Sequence, residues 1–195
     1  SIQSTALTNA LAANFNVSAI ILESRTFNHQ YRLLKYRAKH LGVPSVIGQL
    51  LLLAYDHATS KRRSKSAIEN ILKPFSQQNE SIPRHEIKSV NDPEAARILN
   101  DYKPSICCVS GTSIIGRKVI RTVPILLNIH CGVTPAYRGV HGGFWAVYQQ
   151  DFSNVGVTIH KVDQGVDTGN IVYQATVQIS PDTDTHHTLV AKQYV

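Results

Sequence analysis

The side chains best suited to chemistry in this chain crowd into two segments. The first, NIHCGVTPAYRGVHGG over residues 128–143, sets Asn128 and His130 two apart at the end of an apolar run. On a strand, that spacing sends both side chains off the same face. An amide and an imidazole side by side can both hydrogen-bond one carbonyl oxygen, and so stabilise negative charge that builds there during attack. The second segment, VGVTIHKVDQGVDTGNIVYQ over residues 155–174, carries Asp163 and Asp167 in a glycine-punctuated loop. A carboxylate at Asp167 can pair with an imidazolium and hold His130 charged, or orient it as acid or base. Both segments read equally well as ordinary strand–turn elements that happen to contain His and Asp, and the residues alone leave both readings open.

The elements that must position these groups follow an α/β rhythm. Residues 4–14 space Ala6, Leu7, Ala10 and Leu11 as a helix, and the β-branched run at 17–23 reads as a buried strand. Basic helical patterns follow at 26–40. An apolar helix is expected over 45–57, the basic cluster SKRRSKS lies at 60–66, and a short amphipathic helix is expected over 67–75. Beyond a loop at 77–84, strands are expected at 85–90, 104–111 and 124–130. Helices are expected from Asn91 or Asp92, as N-cap, to about Asp101 and over about 116–122. Alternating strands and helices predict a Rossmann-like, mostly parallel sheet with helices on both faces. Ligands in such sheets sit at the carboxyl ends of strands, which is where Asn128 and His130 fall. A helix at 4–14 with no strand before it reads as a sheet lacking its first strand. The absence of Met and a pattern that stops in mid-course at Val195 read as a chain missing its ends. The expected organisation is one catalytic domain over 1–195, with a basic helical insertion around 26–84.

Composition narrows the class. At 195 residues, 43% hydrophobic and 17% charged, the chain is globular rather than disordered or collagen-like. Its net charge of +7 favours an anionic partner: nucleic acid, a membrane surface, a phosphorylated substrate or a polyacidic cofactor. Three cysteines make no disulfide framework, which points to a reducing, cytoplasmic compartment. The apolar run from Val46 to Tyr55 is too short to span a bilayer, and no membrane partner is expected. The cluster at 61–65 lacks the interleaved aromatics that stack on bases, so nucleic acid is not expected as a partner.

Together, NIHxxxxPxYRG and the downstream GVTIHxVDxGxDTGxI resemble the folate-dependent formyltransferases. That family includes the glycinamide ribonucleotide, methionyl-tRNA and amino-sugar N-formyltransferases and the related formyltetrahydrofolate hydrolases. The resemblance is strong over 124–178, plausible over 85–123 and thin before that. It implies a catalytic set of Asn128, His130 and Asp167, and 10-formyltetrahydrofolate as formyl donor. It also implies a pterin site against Ser110, Gly111, Ile114 and Ile115 on one side and Val162, Asp163, Gln164 and Gly165 on the other. The acceptor, a primary amine, would meet Arg138, Gly139 and His141. No metal is implied. The implied acceptor is first a glycinamide ribonucleotide-like molecule and second an amino sugar nucleotide. A hydrolase using the same three residues and a non-catalytic folate-binding module are the alternatives.

Three departures from the family pattern bear on the acceptor. Gly132, Val133 and Thr134 stand where Ser-Leu-Leu is usual, the loop VHGGFWAVYQQ follows Arg138–Gly139, and residues 26–84 match none of the nucleotide enzymes. The last region is open to a lid, a homodimer surface or an anion site. The family's glycine-rich phosphate loop and the further C-terminal domain of its transfer-RNA enzymes are not seen. Cys131 adjoins His130, but neighbours on a strand point opposite ways, so a Cys–His nucleophile is not expected. His186–His187 reads as a helix start rather than a metal site. Arg138 is open to two roles, closing its loop through backbone carbonyls or binding substrate.

Overall fold

The computed structural model describes residues 2–24, 34–36, 38–40, 42–76, 81–180 and 182–194. Helix α1 (Ile2–Asn14) leads into strand β1 (Ile20–Glu23), which pairs in parallel with β2 (Arg84–Ile87). Between these two strands lies a helical stretch: α2 (Val43–Asp56), then α3 (Lys65–Leu72). The 26–40 helix is seen at 34–36 and 38–40; the rest of that expectation, and residues 77–80 of the expected loop, fall outside the described residues.

The second half builds the sheet that carries the chemistry. Helix α4 (Pro93–Tyr102), β3 (Ile106–Val109), α5 (Arg117–Ile120) and β4 (Ile125–His130) continue the βα alternation, and β3 pairs with β4 in parallel. Helix α6 (Gly142–Tyr148), β5 (Gly156–Lys161), β6 (Ile171–Thr176) and α7 (His186–Lys192) follow. The strand order is β3-β4-β5-β6, with β5 antiparallel to both its neighbours. The α/β class is borne out, with parallel pairing at β1–β2 and β3–β4 and a reversal of direction at β5 and β6. Strands joined by the short 163–169 loop can only pair antiparallel, because a parallel return needs a crossover of a dozen or more residues.

Apolar spacing explains the packing. Ile98 and Leu99 of α4 turn toward the sheet with Val119 of α5 and Leu126 of β4, and Ile21 of β1 joins the same core. Tyr137, Ala146 and Val155 form a second cluster under α6. A third ties Ala6 of α1 to Ile68 and Leu72 of α3 and Ala191 of α7. Fully removing such a side chain from water contributes roughly 1.5–3 kcal/mol.

Caps differ from expectation at one point. Asp92 takes the N-cap position of α4 with extended backbone, but its side chain makes no capping bond. Asn91 instead spans to the 114–116 segment, donating from Nδ2 to the Ile114 carbonyl (2.8 Å) and accepting from Gly116 N–H (2.6 Å). Helix α7 does begin at His186, after a Thr185–Thr188 capping box, so the paired histidines mark a helix start as the sequence suggests.

Candidate active site

Strand β4 ends with Asn128 and His130 directed to one side, and β5 lies antiparallel beside it with His160 opposite Asn128. The loop between β5 and β6 then folds back so that Asp167 reaches both β4 residues. Asp167 sits at φ 51°, a left-handed conformation that aspartate tolerates better than most residues. Its carboxylate is the hub. Oδ1 accepts from Asn128 Nδ2 at 3.1 Å, and Oδ2 accepts from Gly139 N–H at 2.8 Å. His130 Nδ1 lies 3.4 Å from Oδ2, and His160 Nε2 lies 3.3 Å from Oδ1. The Asp167 side chain is 13% exposed and the two imidazoles less so. The carboxylate therefore sits where water screens little.

The far nitrogens fix the tautomers. His130 Nε2 is 2.7 Å from the Tyr137 carbonyl, and His160 Nδ1 is 2.9 Å from the Lys161 carbonyl. A carbonyl only accepts, so both of these nitrogens carry protons. Neutral His160 then presents the Nε2 lone pair, which accepts from Asn128 Nδ2 at 3.1 Å. The amide of Asn128 is thus held by two acceptors, and the imidazole of His130 is clamped between a carbonyl and a carboxylate.

Two backbone positions keep this arrangement compact. A Cβ on Gly132 would lie 2.7 Å from His130 Nε2 and 2.6 Å from the Tyr137 carbonyl, so the chain turns tightly under the imidazole only with glycine there. A Cβ on Gly169 would collide with the Lys161 carbonyl, so the loop carrying Asp167 can return against β5 only through glycine. Buried Thr158 joins the strand to the loop that follows β4. It donates to the Gly132 carbonyl and accepts from Thr134 N–H and Gln174 Nε2.

A cavity of about 440 Å³ opens beside the cluster, lined by Thr134, Pro135, Arg138, Asp167, Thr168, Gly169, Asn170 and Ile171. Asp167 is the member of the cluster on its wall. Arg138 lines it too and donates from Nε to the Asp167 carbonyl at 3.1 Å, so it closes the loop while its guanidinium stays exposed. Gly139 supplies its N–H to Asp167. His141 sits elsewhere: it is the N-cap of α6, with its ring 5.5 Å from that of His186.

The positions expected against a pterin divide in character. Asp163 Oδ1 accepts from Gly165 N–H and Thr168 Oγ1, so the 163–168 loop is closed on itself, with Gln164 exposed. Val162 and Ile115 belong to the apolar core. Ile114 is 75% exposed, Ser110 bonds the Tyr194 hydroxyl at 2.8 Å, and Gly111 turns at φ 64°. Burial pushes the Cys131 thiol up from its ordinary value, against a hydrogen bond with Tyr194, which suits a structural thiol rather than a nucleophile. Among the described residues no group of three or more His, Cys, Asp or Glu is placed to hold a metal ion.

His160 is the cluster member that sequence reasoning passed over. The signal was present: in GVTIHK the alternation puts Thr158 and His160 on one face, and both are buried polar residues.

A strand-end amide and imidazole are thus gathered on one carboxylate, in an α/β sheet with a short antiparallel end. A formyl transferase family model matches residues 18–193, and the chain belongs to that family. Methionyl-tRNA formyltransferase of Chlorobium chlorochromatii is 33% identical over 56% of this chain and 35% of its own length. The trifunctional purine biosynthetic protein adenosine-3 of Drosophila melanogaster is 35% identical over 50% of this chain and 7% of its own. Among solved structures, phosphoribosylglycinamide formyltransferase from Anaplasma phagocytophilum is 25% identical, covers 58% of this chain and 55% of that one, and superposes with a TM-score of 0.50. The Bacillus halodurans enzyme of the same name shares the fold over 98% of this chain and 81% of that one, with a TM-score of 0.58 at 20% identity. The chain spans about a third of the length of the methionyl-tRNA formyltransferases it matches.

Proposed function

We propose that this protein transfers a formyl group from 10-formyltetrahydrofolate to a primary amine, with Asn128, His130 and Asp167 as the catalytic set. The observation that carries the reading is the Asp167 carboxylate, which bonds Asn128 and faces His130 beside a cavity. At about 440 Å³ the cavity is of the size that takes a small ligand, which fits a heterocyclic donor. The self-closed 163–168 loop leaves main-chain groups to read the edge of such a ring.

In the reaction the amine nitrogen forms a bond to the formyl carbon and the carbonyl oxygen gains negative charge. Asn128 Nδ2 and the His130 imidazole supply the hydrogen bonds that stabilise it. The donors are now spent on His160 Nε2 and the Tyr137 carbonyl, so the substrate oxygen exchanges with acceptors already in place. The amine's surplus proton passes through the Asp167–His130 pair to the folate nitrogen as its bond to the formyl carbon breaks. The acceptor is a small phosphorylated amine of the glycinamide ribonucleotide type, for which exposed Arg138 on the cavity wall offers a bidentate anion contact. An amino sugar nucleotide is the second candidate.

The test is incubation with labelled 10-formyltetrahydrofolate and a panel of amines (glycinamide ribonucleotide, amino sugar nucleotides, methionyl-tRNA), with product masses recorded. A formylated small phosphorylated amine supports the reading. Formate release that needs no amine replaces it with a hydrolase, and folate binding without turnover replaces it with a binding module.

A further inference from the structure

Helix α2 is inside out. Its sequence, VPSVIGQLLLLAYD, is apolar almost throughout, yet Val43, Ile47, Leu50, Leu51, Leu52, Leu53 and Tyr55 are all exposed, from 47% to 67%. The residues it turns inward are Val46, which is buried, and Gln49 and Asp56, which are half-buried. Asp56 fastens it to the body of the protein by accepting from His187 Nε2 at 2.9 Å. A surface helix of a water-soluble domain shows the reverse pattern, with an apolar stripe facing the core and polar residues facing water.

We infer that α2 docks the protein on an anionic lipid surface, lying in the interface rather than crossing it. Four consecutive exposed leucines, stepped by about 100° each, face most of the way round the helix axis. A partner helix covers only one stripe of roughly 100°; an acyl layer moulds to the wider apolar face that the body of the protein leaves outward. The 14-residue apolar segment is about 21 Å long, short of the roughly 30 Å of a bilayer core, and the π-helical turn that continues it over His57–Lys61 is polar in sequence. No helix among the described residues is long and apolar enough to cross a membrane.

Charge selects the surface. Exposed Lys35 and Lys39 precede α2, and exposed Arg62, Arg63 and Lys65 follow it. Asp56 is the one acidic residue between 34 and 66, and it is turned toward His187. Cations at both ends of an apolar segment match a hydrocarbon layer rimmed by anionic headgroups. A second copy of the chain would bring the same cations and repel. The sequence expectation of no membrane partner rested on the length of the apolar run; the docking proposed here departs from that expectation on the exposure of α2.

The test is co-sedimentation of the protein with vesicles of phosphatidylcholine alone and of phosphatidylcholine mixed with phosphatidylglycerol. Binding is expected to the mixed vesicles and to weaken as salt is raised. The Leu51→Glu/Leu52→Glu variant should abolish it with the circular dichroism spectrum unchanged. Arg62→Gln/Arg63→Gln should weaken it by roughly twenty- to thirtyfold, about fivefold per cation. In Leu52→Trp, quenching by brominated lipid would place the helix in the acyl boundary. Failure to bind mixed vesicles overturns the inference. So does a dimer, seen by sedimentation velocity without lipid, that Leu51→Glu/Leu52→Glu dissolves. These readouts need no substrate, so they stand or fall separately from formyl transfer.

Discussion

Replacing Asp167 by Asn keeps the shape of the side chain and removes its charge. The carboxylate now accepts from two donors, Asn128 Nδ2 on one oxygen and Gly139 N–H on the other. An amide has one accepting oxygen, so its NH2 must confront one of those donors. A hydrogen bond to a charged group contributes about 1.5–3 kcal/mol; losing one, partly offset by rotation of the amide, costs about 2 kcal/mol of stability. For a chain of this size that corresponds to roughly 4–8 °C in melting temperature. The effect on turnover should be far larger. The neutral side chain offers His130 no ion partner and cannot carry the amine's proton, and a positioned acid–base group contributes about two to four orders of magnitude. The assay is steady-state formyl transfer beside a thermal melt followed by circular dichroism. Turnover near that of the wild type in a folded Asp167→Asn protein would refute the assignment of this carboxylate, and with it the proton path.

Gly132→Ala should displace the His130 imidazole, because the new methyl would stand 2.7 Å from Nε2; at least a tenfold fall in kcat is expected, with a stability loss of about 1–3 kcal/mol in urea titration. Gln164→Ala should be mild in kcat/KM, since that side chain is exposed on a loop closed by Asp163; a collapse of activity would mean that the loop is read by its side chains. Burial, with the neighbouring Cys108 second, pushes the Cys107 thiol from 9.0 to about 11. The folded state keeps that proton longer than the unfolded chain, so the stability contributed is full below pH 9 and is lost as pH rises through about 11. Urea midpoints measured on either side of that window should fall by the equivalent of about 3 kcal/mol, and Cys107→Val should flatten the decline. His130→Ala should cut turnover by orders of magnitude while the melt stays within a few degrees; an active variant would move the chemistry to His160.

Local pattern carried much of the molecule. The helix from Asp92 to about Asp101, the apolar run ending at His130 and the helix start at His186–His187 rest on short-range signals, and those elements fold where the pattern puts them. The two-residue spacing of Asn128 and His130 was readable for the same reason, because it depends only on the period of a strand. What was illegible depended on distant chain segments. The partner of His160 is set by the register of β5 on β4, and register is a tertiary property. The antiparallel end of the sheet was hidden because alternation marks a strand without giving its direction. Helix α2 was recognised as apolar, but periodicity in a chain of leucines cannot tell a core helix from one facing outward.

The turn that begins at Gly132 comes back on itself at Gly142. A Cβ on Gly142 would lie 2.9 Å from the Gly132 Cα, so the two ends of the segment touch. Between them the chain makes an excursion that returns at nearly the same point, with Thr134 and Tyr137 buried against the body and Arg138 exposed. Asp167 grips that excursion through one main-chain N–H and one guanidinium. The Tyr137 carbonyl and the Gly139 N–H in this segment hold His130 and Asp167, so a shift of its main chain is felt directly at the strand end, while an exposed side chain such as Val140 can vary without touching those bonds.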